Sequence, residues 1–126
     1  MMSGRSREAQ VRFSERRRRE DEALRLKVEV PGLLSLKLEV EERRGSSTLS
    51  ETKHVRVVVV DRAPALFFLP CGDRDCRDGG HDVTYDVMRG LREGNGSFEV
   101  EDTCAGSIRG VNCGRIVKVA IKATYA

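Results

Sequence analysis

The sequence predicts an α+β fold, an antiparallel β-sheet with one short helix packed on it, and three observations carry that prediction. Apolar and polar residues alternate along four separate stretches, residues 24–30, 34–40, 97–103 and 115–125, the pattern of strands buried on one face. One segment, from Val83 to Leu91, instead repeats its apolar residues at helical spacing. The strands do not alternate with helices, so the helix is segregated to one side of an antiparallel sheet rather than linking parallel strands.

Residues 1–22 offer little to bury. Ala9, Val11 and Phe13 stand among charges, and opposite charges sit four apart at Glu8/Arg12, Glu15/Arg19, Arg16/Glu20 and Arg18/Glu22. Such pairs add little, and an isolated helix of this length is marginal in water. A charged N-terminal arm, disordered or a frayed solvated helix, is therefore expected ahead of a single β-rich domain at 23–126.

From Leu24 the period becomes two, with Leu24, Leu26, Val28 and Val30 set against Arg25, Lys27 and Glu29. Pro31-Gly32 suits a turn, and Leu34, Leu36, Leu38 and Val40 then alternate with Lys37, Glu39 and Glu41, so a β-hairpin is expected. Residues 42–53, centred on Gly45-Ser46-Ser47-Thr48, read as a loop. His54 to Val60, rich in β-branched residues, is expected as a central strand. Arg62-Ala63-Pro64 breaks it, and the apolar run Ala65 to Leu69 delivers the chain through Pro70 to Cys71. In the helix, Val83, Val87, Met88 and Leu91 form one stripe, Asp82 is the N-cap candidate, and Gly94-Asn95-Gly96 is the stop. Ser97 to Thr103 turns Phe98 and Val100 inward and Glu99 and Glu101 outward. In Arg115 to Tyr125, residues Val117, Val119, Ile121, Ala123 and Tyr125 share one face, with Lys118, Lys122 and Thr124 on the other.

Composition bounds the functions available. The 126 residues are 39% hydrophobic and 34% charged, an ordinary globular mixture. The longest apolar runs, Val57 to Val60 and Ala63 to Pro70, are strand-sized, so no membrane span is expected. The opening Met1-Met2-Ser3-Gly4-Arg5 leads into charge, which predicts no secretory signal and a cytoplasmic setting. The net charge of +3 hides a split: residues 71–104 carry four arginines against nine acids, and residues 105–126 carry four basic residues and no acid. Three of the four cysteines lie in the acidic stretch.

Those cysteines, Cys71, Cys76, Cys104 and Cys113, are spaced C-x4-C and C-x8-C with 27 residues between the pairs. Each pair follows the end of a predicted strand, and each intervening loop is rich in glycine: Gly72, Gly79 and Gly80 in one, Gly106, Gly110 and Gly114 in the other. A tetrahedral zinc site needs four sulfurs at about 2.3 Å from the ion, and two tight loops meeting at one end of a sheet can present them. Two disulfides, or free or redox-active thiols, are the competing assignments; the missing export signal weighs against the first. His81 either replaces one cysteine as ligand or sits as a polar loop residue beside the helix N-terminus.

The arrangement over residues 65–126 resembles the zinc-ribbon class, in which two cysteine-bearing loops grip one structural zinc ion. It is also similar to small bacterial proteins of unassigned activity that share a PCxxxxC–GGHD–helix–C–C layout. The likeness implies a single structural zinc ion held by Cys71, Cys76, Cys104 and Cys113. It departs from the common ribbon in spacing, four and eight in place of two, and in the helix between the pairs.

No catalytic constellation accompanies the cysteines. Four thiolates close a metal's coordination shell, whereas a catalytic zinc keeps one position open. The deaminase signature is missing, since His81 is followed by Asp82-Val83 and Pro70-Cys71 opens C-x4-C. Asp73, Asp75 and Asp78 fail the calcium-loop pattern at Arg77, and Gly94-Asn95-Gly96 lacks the lysine of a phosphate loop. The expectation is a non-enzymatic, zinc-stabilised binding module that engages a protein partner or a second copy of itself, with no small-molecule substrate. The alternative is a nucleic-acid binder using Arg16, Arg17, Arg18 and Arg19 of the arm together with Arg115, Lys118 and Lys122 of the last strand.

Overall fold

The computed structural model describes residues 17–19 and 22–126. The apolar arm positions and the pairs Glu8/Arg12, Glu15/Arg19 and Arg16/Glu20 therefore lie at least partly outside the described residues. Residues 17–19 are helical, and the exposed Arg18 guanidinium stands 4.0 Å from Glu22.

Eight strands and two helices follow: α1 (Leu26–Glu29), β1 (Leu33–Arg43), β2 (Thr52–Val58), β3 (Phe68–Leu69), β4 (His81–Asp82), α2 (Thr84–Arg92), β5 (Ser97–Thr103), β6 (Ser107–Ile108), β7 (Val111–Asn112) and β8 (Ile116–Tyr125). Four strands form an antiparallel sheet in the order β2-β1-β8-β5, and β3-β4 and β6-β7 are two small ladders beside it. The architecture is α+β.

The core lies under one face of the sheet. Leu36, Leu38 and Val40 of β1, Val117, Val119 and Ile121 of β8 and Val100 of β5 point to it, as their alternation requires. Val83, just ahead of α2, and Val87, Met88 and Leu91 within it close over them. The opposite face is polar and laced with cross-strand pairs such as Lys53–Glu41 (3.5 Å) and Lys118–Glu99 (3.4 Å). The predicted bounds of β5 hold, while α2 is capped by Val83 and not by the expected Asp82, which belongs to β4 and accepts the Thr84 N–H on its Oδ1 at 3.1 Å. At the end of α2 Gly94 takes φ +76°; the Gly94 and Asn95 N–H groups return to the carbonyls of Leu91 and Gly90, the glycine-terminated cap expected there.

Three expectations are corrected. Leu24 to Val30 is not a strand but the single turn α1: Leu26 and Val30 are buried, while Leu24 and Val28 are 62% and 68% exposed. Apolar residues four apart satisfy a helical turn as well as a strand, and both edges of β1 are taken by β2 and β8. The segment is tied laterally instead, Leu26 N–H to the Ala63 carbonyl (2.9 Å) and Ala65 N–H to that of Leu24 (2.7 Å). Leu34 is exposed and Leu33 buried, because a bulge between Leu33 and Ser35 shifts the register against β8. His54 to Val60 is not central: β2 is an edge strand, joined to β1 by a loop at 44–51, and the long β8 occupies the middle. β-propensity reports fit to a pleated surface, not position in the sheet.

Candidate metal centre

The sheet order brings the two cysteine loops to one end of the molecule. The β3-β4 ladder, Phe68 opposite Asp82 and Leu69 opposite His81, closes the loop that carries Cys71 and Cys76. Inside it, Asp73 makes the turn: its Oδ1 accepts the Asp75 N–H (2.9 Å) and its carbonyl the Cys76 N–H (3.2 Å). The second loop is a minimal hairpin, β6 and β7 joined by Arg109 and Gly110 with φ of +52° and +80°. This hairpin accounts for the eight-residue spacing, since its two strands return Cys113 beside Cys104. The loops are stitched together by reciprocal backbone bonds between Arg77 and Ser107 (2.7 and 2.9 Å).

The four sulfurs of Cys71, Cys76, Cys104 and Cys113 lie within 4.8 Å of one another. Cys71–Cys113 and Cys76–Cys104 are each 3.6 Å apart, far beyond a disulfide bond of about 2.05 Å. A tetrahedral ion with metal–sulfur distances of about 2.3 Å sets its ligands about 3.8 Å apart, so the cluster fits one metal ion. All four predicted ligands are brought together, and His81 is not among them.

The backbone is shaped around these sulfurs. A Cβ on Gly79 would fall on Cys76 Sγ and lie 2.6 Å from Cys104 Sγ, and one on Gly106 would lie 2.5 Å from Cys76 Sγ. The Gly80 and Gly106 N–H groups point at Cys104 Sγ, at 3.3 and 3.5 Å. Burial pushes the Cys104 thiol up, but these two donors favour its thiolate and hold it below the ordinary value. Burial dominates at the other end, raising Cys71 to about 12 and Cys76 upward as well.

Beside the cluster lies a polar network that the sequence reasoning missed. Glu42 continues the inward phase of Leu36, Leu38 and Val40 and ends buried, accepting the Gly72 N–H at 3.1 Å and bonding to Arg115 Nε. Arg115 also reaches Glu51 (3.0 Å), while its carbonyl accepts the Cys104 N–H (2.7 Å). Burial pushes the Arg115 guanidinium down, but its two carboxylate partners outweigh that and hold it above the ordinary value. His81 is fully buried, Nδ1 3.0 Å from Asp102 and Nε2 3.8 Å from Glu42 without a hydrogen-bond partner among the described residues. It is neither a ligand nor a loop residue, because pairing with Leu69 draws it into β4.

The described candidate nucleic-acid contacts fall on the arm and on or beside β8. Arg16 lies outside the described residues. Arg17 and Arg18 are exposed, and Arg19 pairs with Asp82 at 2.8 Å. Lys118 and Lys122 are exposed on the polar face of β8, Lys118 paired with Glu99. Arg115 is corrected outright: it is buried and committed to Glu42 and Glu51, so it presents no charge to a partner. No helix among the described residues is long and apolar enough to cross a membrane.

Comparison with protein-family models, with curated proteins and with solved structures finds no match to this chain. The zinc-ribbon likeness thus rests on the four converging cysteines.

Proposed function

We propose that Cys71, Cys76, Cys104 and Cys113 hold one structural zinc ion, and that the protein is a non-enzymatic binding module whose fold this ion completes. The observation that carries this is the donor set: four mutually close sulfurs, with no imidazole or carboxylate joining the cluster among the described residues. Soft, tetrahedral sulfur sites suit zinc, and four protein ligands leave no position for substrate. The ion would fasten two loops that are short of apolar residues, and structural zinc binding of about 10–16 kcal/mol matches the whole stability of a small domain. A protein partner is favoured over nucleic acid because Arg19, Arg115 and Lys118 are neutralised by carboxylates.

The test is hydrogen exchange with and without a strong chelator. Amides of β3, β4, β6, β7 and the two cysteine loops should lose protection on chelation and regain it with zinc but not with magnesium. Unchanged protection in those segments would contradict a structural ion.

A further inference from the structure

We propose that β2 is the docking edge for an extended segment of another protein, one whose residues alternate between carboxylate and apolar side chains, added to the four-stranded sheet as a further strand. The proposal rests on the binding-module reading above but not on the metal. β2 ends the sheet: β1 takes one side of Thr52–Val58, and among the described residues no backbone hydrogen bond reaches the other. Such an edge is a template for another strand, and strand addition is a recurring mode of peptide recognition. The opposite edge strand, β5, is guarded by the exposed Glu99 and Glu101. On the same face of the sheet β2 carries Val55 and Val57, 61% and 73% exposed.

The two faces of β2 select the occupant. On the outer face the charges beside the strand are already matched, Lys37 with Glu39 at 3.2 Å and Lys53 with Glu41 at 3.5 Å, which leaves Val55 and Val57 to meet an incoming strand. On the core side the chemistry reverses. His54 and Arg56 take the inward phase, opposite Val40 and Leu38, yet both are exposed because the core stops short of this edge. Neither makes an ion pair or a side-chain hydrogen bond among the described residues, and Glu42, the carboxylate on the inward face of β1, is committed to Arg115. Neighbouring strands set their side chains side by side on each face, and matched apolar and opposite-charge pairs are the unit of sheet stabilisation. A segment of alternating pattern therefore lays apolar residues against Val55 and Val57 and carboxylates against His54 and Arg56. A second copy of β2 brings Thr52, His54, Arg56 and Val58 to the inward face, with no carboxylate among them. A nucleic acid has no peptide backbone with which to extend the ladder. Neither fits both faces.

The probe is a peptide as long as β2 in which Glu and Val alternate, titrated into the full-length, zinc-loaded chain and followed by calorimetry and hydrogen exchange. It should bind and add protection to the amides of β2. A peptide with Lys in place of each Glu, and one of the same composition with the alternation scrambled, should not. N-methylation of every peptide residue should abolish binding, whereas methylation of one alternate set or the other should spare it, since successive amides of a strand point to opposite edges. Arg56→Glu changes an exposed side chain and should leave the fold intact; it should weaken the Glu–Val peptide about tenfold and admit the Lys–Val peptide. No binding of the Glu–Val peptide, binding indifferent to Arg56→Glu or to full N-methylation, displacement by a mixed single-stranded oligonucleotide, or a homodimer formed through β2 would overturn the proposal. Zinc content and the chelator-sensitive protection of β3, β4, β6 and β7, read in the same sample, separate that outcome from a failure of the metal-completed fold.

Discussion

Replacing Glu42 by alanine tests how far the metal-side end of the sheet depends on one carboxylate. The Glu42 and Arg115 side chains are 7% and 8% exposed, so the pair is shielded from water. Removing one member of a buried pair costs about 3–5 kcal/mol, because the other charge is left uncompensated. Arg115 keeps Glu51 at 3.0 Å, half-exposed, which places the loss at the lower end of that range. The Gly72 N–H loses its acceptor as well, worth about 1 kcal/mol. Glu42→Ala should therefore lose about 3–4 kcal/mol, a large part of the roughly 5–15 kcal/mol of a typical domain. Glu42→Gln keeps an acceptor for Gly72 and loses only the charge, and should cost about 2 kcal/mol. Urea unfolding at fixed, saturating zinc reads both values. The Arg115→Ala double mutant should cost less than the sum of the single changes. Glu42→Ala within about 0.5 kcal/mol of the parent would refute the reasoning, since surface substitutions have effects of that size.

Gly79→Ala should weaken metal affinity about tenfold or more, because its Cβ falls among the sulfurs of Cys76 and Cys104; competition with a chromophoric chelator measures this, and parental affinity would refute the packing. Metal affinity should also climb steeply with pH through the neutral range. Burial keeps Cys71 and Cys76 protonated there in the metal-free chain, Cys71 up to about 12, so binding must expel protons, and a flat profile would contradict it. Burial pushes the Asp82 carboxyl up, but Thr84 and Arg19 outweigh that and leave it below the ordinary value. Its stabilisation is thus complete above about pH 3.9 and disappears as pH falls through the lower folded value. Asp82→Asn should melt below the parent at neutral pH, with the gap closing in acid; a gap that widens in acid would reverse the assignment.

What the sequence made legible followed from clear periods. Val117 to Tyr125 alternates with Ala120 as its one apolar residue on the outer phase, and Val83, Val87, Met88 and Leu91 fit a helix, so β8 and α2 stand close to where expected. Leu24 to Val30 satisfies two periods at once, and only the occupancy of β1's edges decides between them. The bulge that exchanges Leu33 for Leu34 has no local signature. The convergence of the four cysteines was legible from strand ends and glycines, although their spacing hid the hairpin at Arg109-Gly110 that brings Cys113 back. Glu42 was obscured by Glu41 beside it: its one signal, an acid on the inward phase of a strand, is visible once that strand is extended past Val40. Arg115 looked like a surface charge because its partners, Glu42 and Glu51, lie more than sixty residues away in sequence.

Native mass spectrometry of the purified, full-length chain is the most direct measurement of the central claim, that four thiolates close around a single zinc ion. Each chain should carry one zinc, lost together with the folded charge-state distribution when the sample is acidified. A metal-free folded chain, or a mass short of the hydrogens that two disulfides remove, would contradict it.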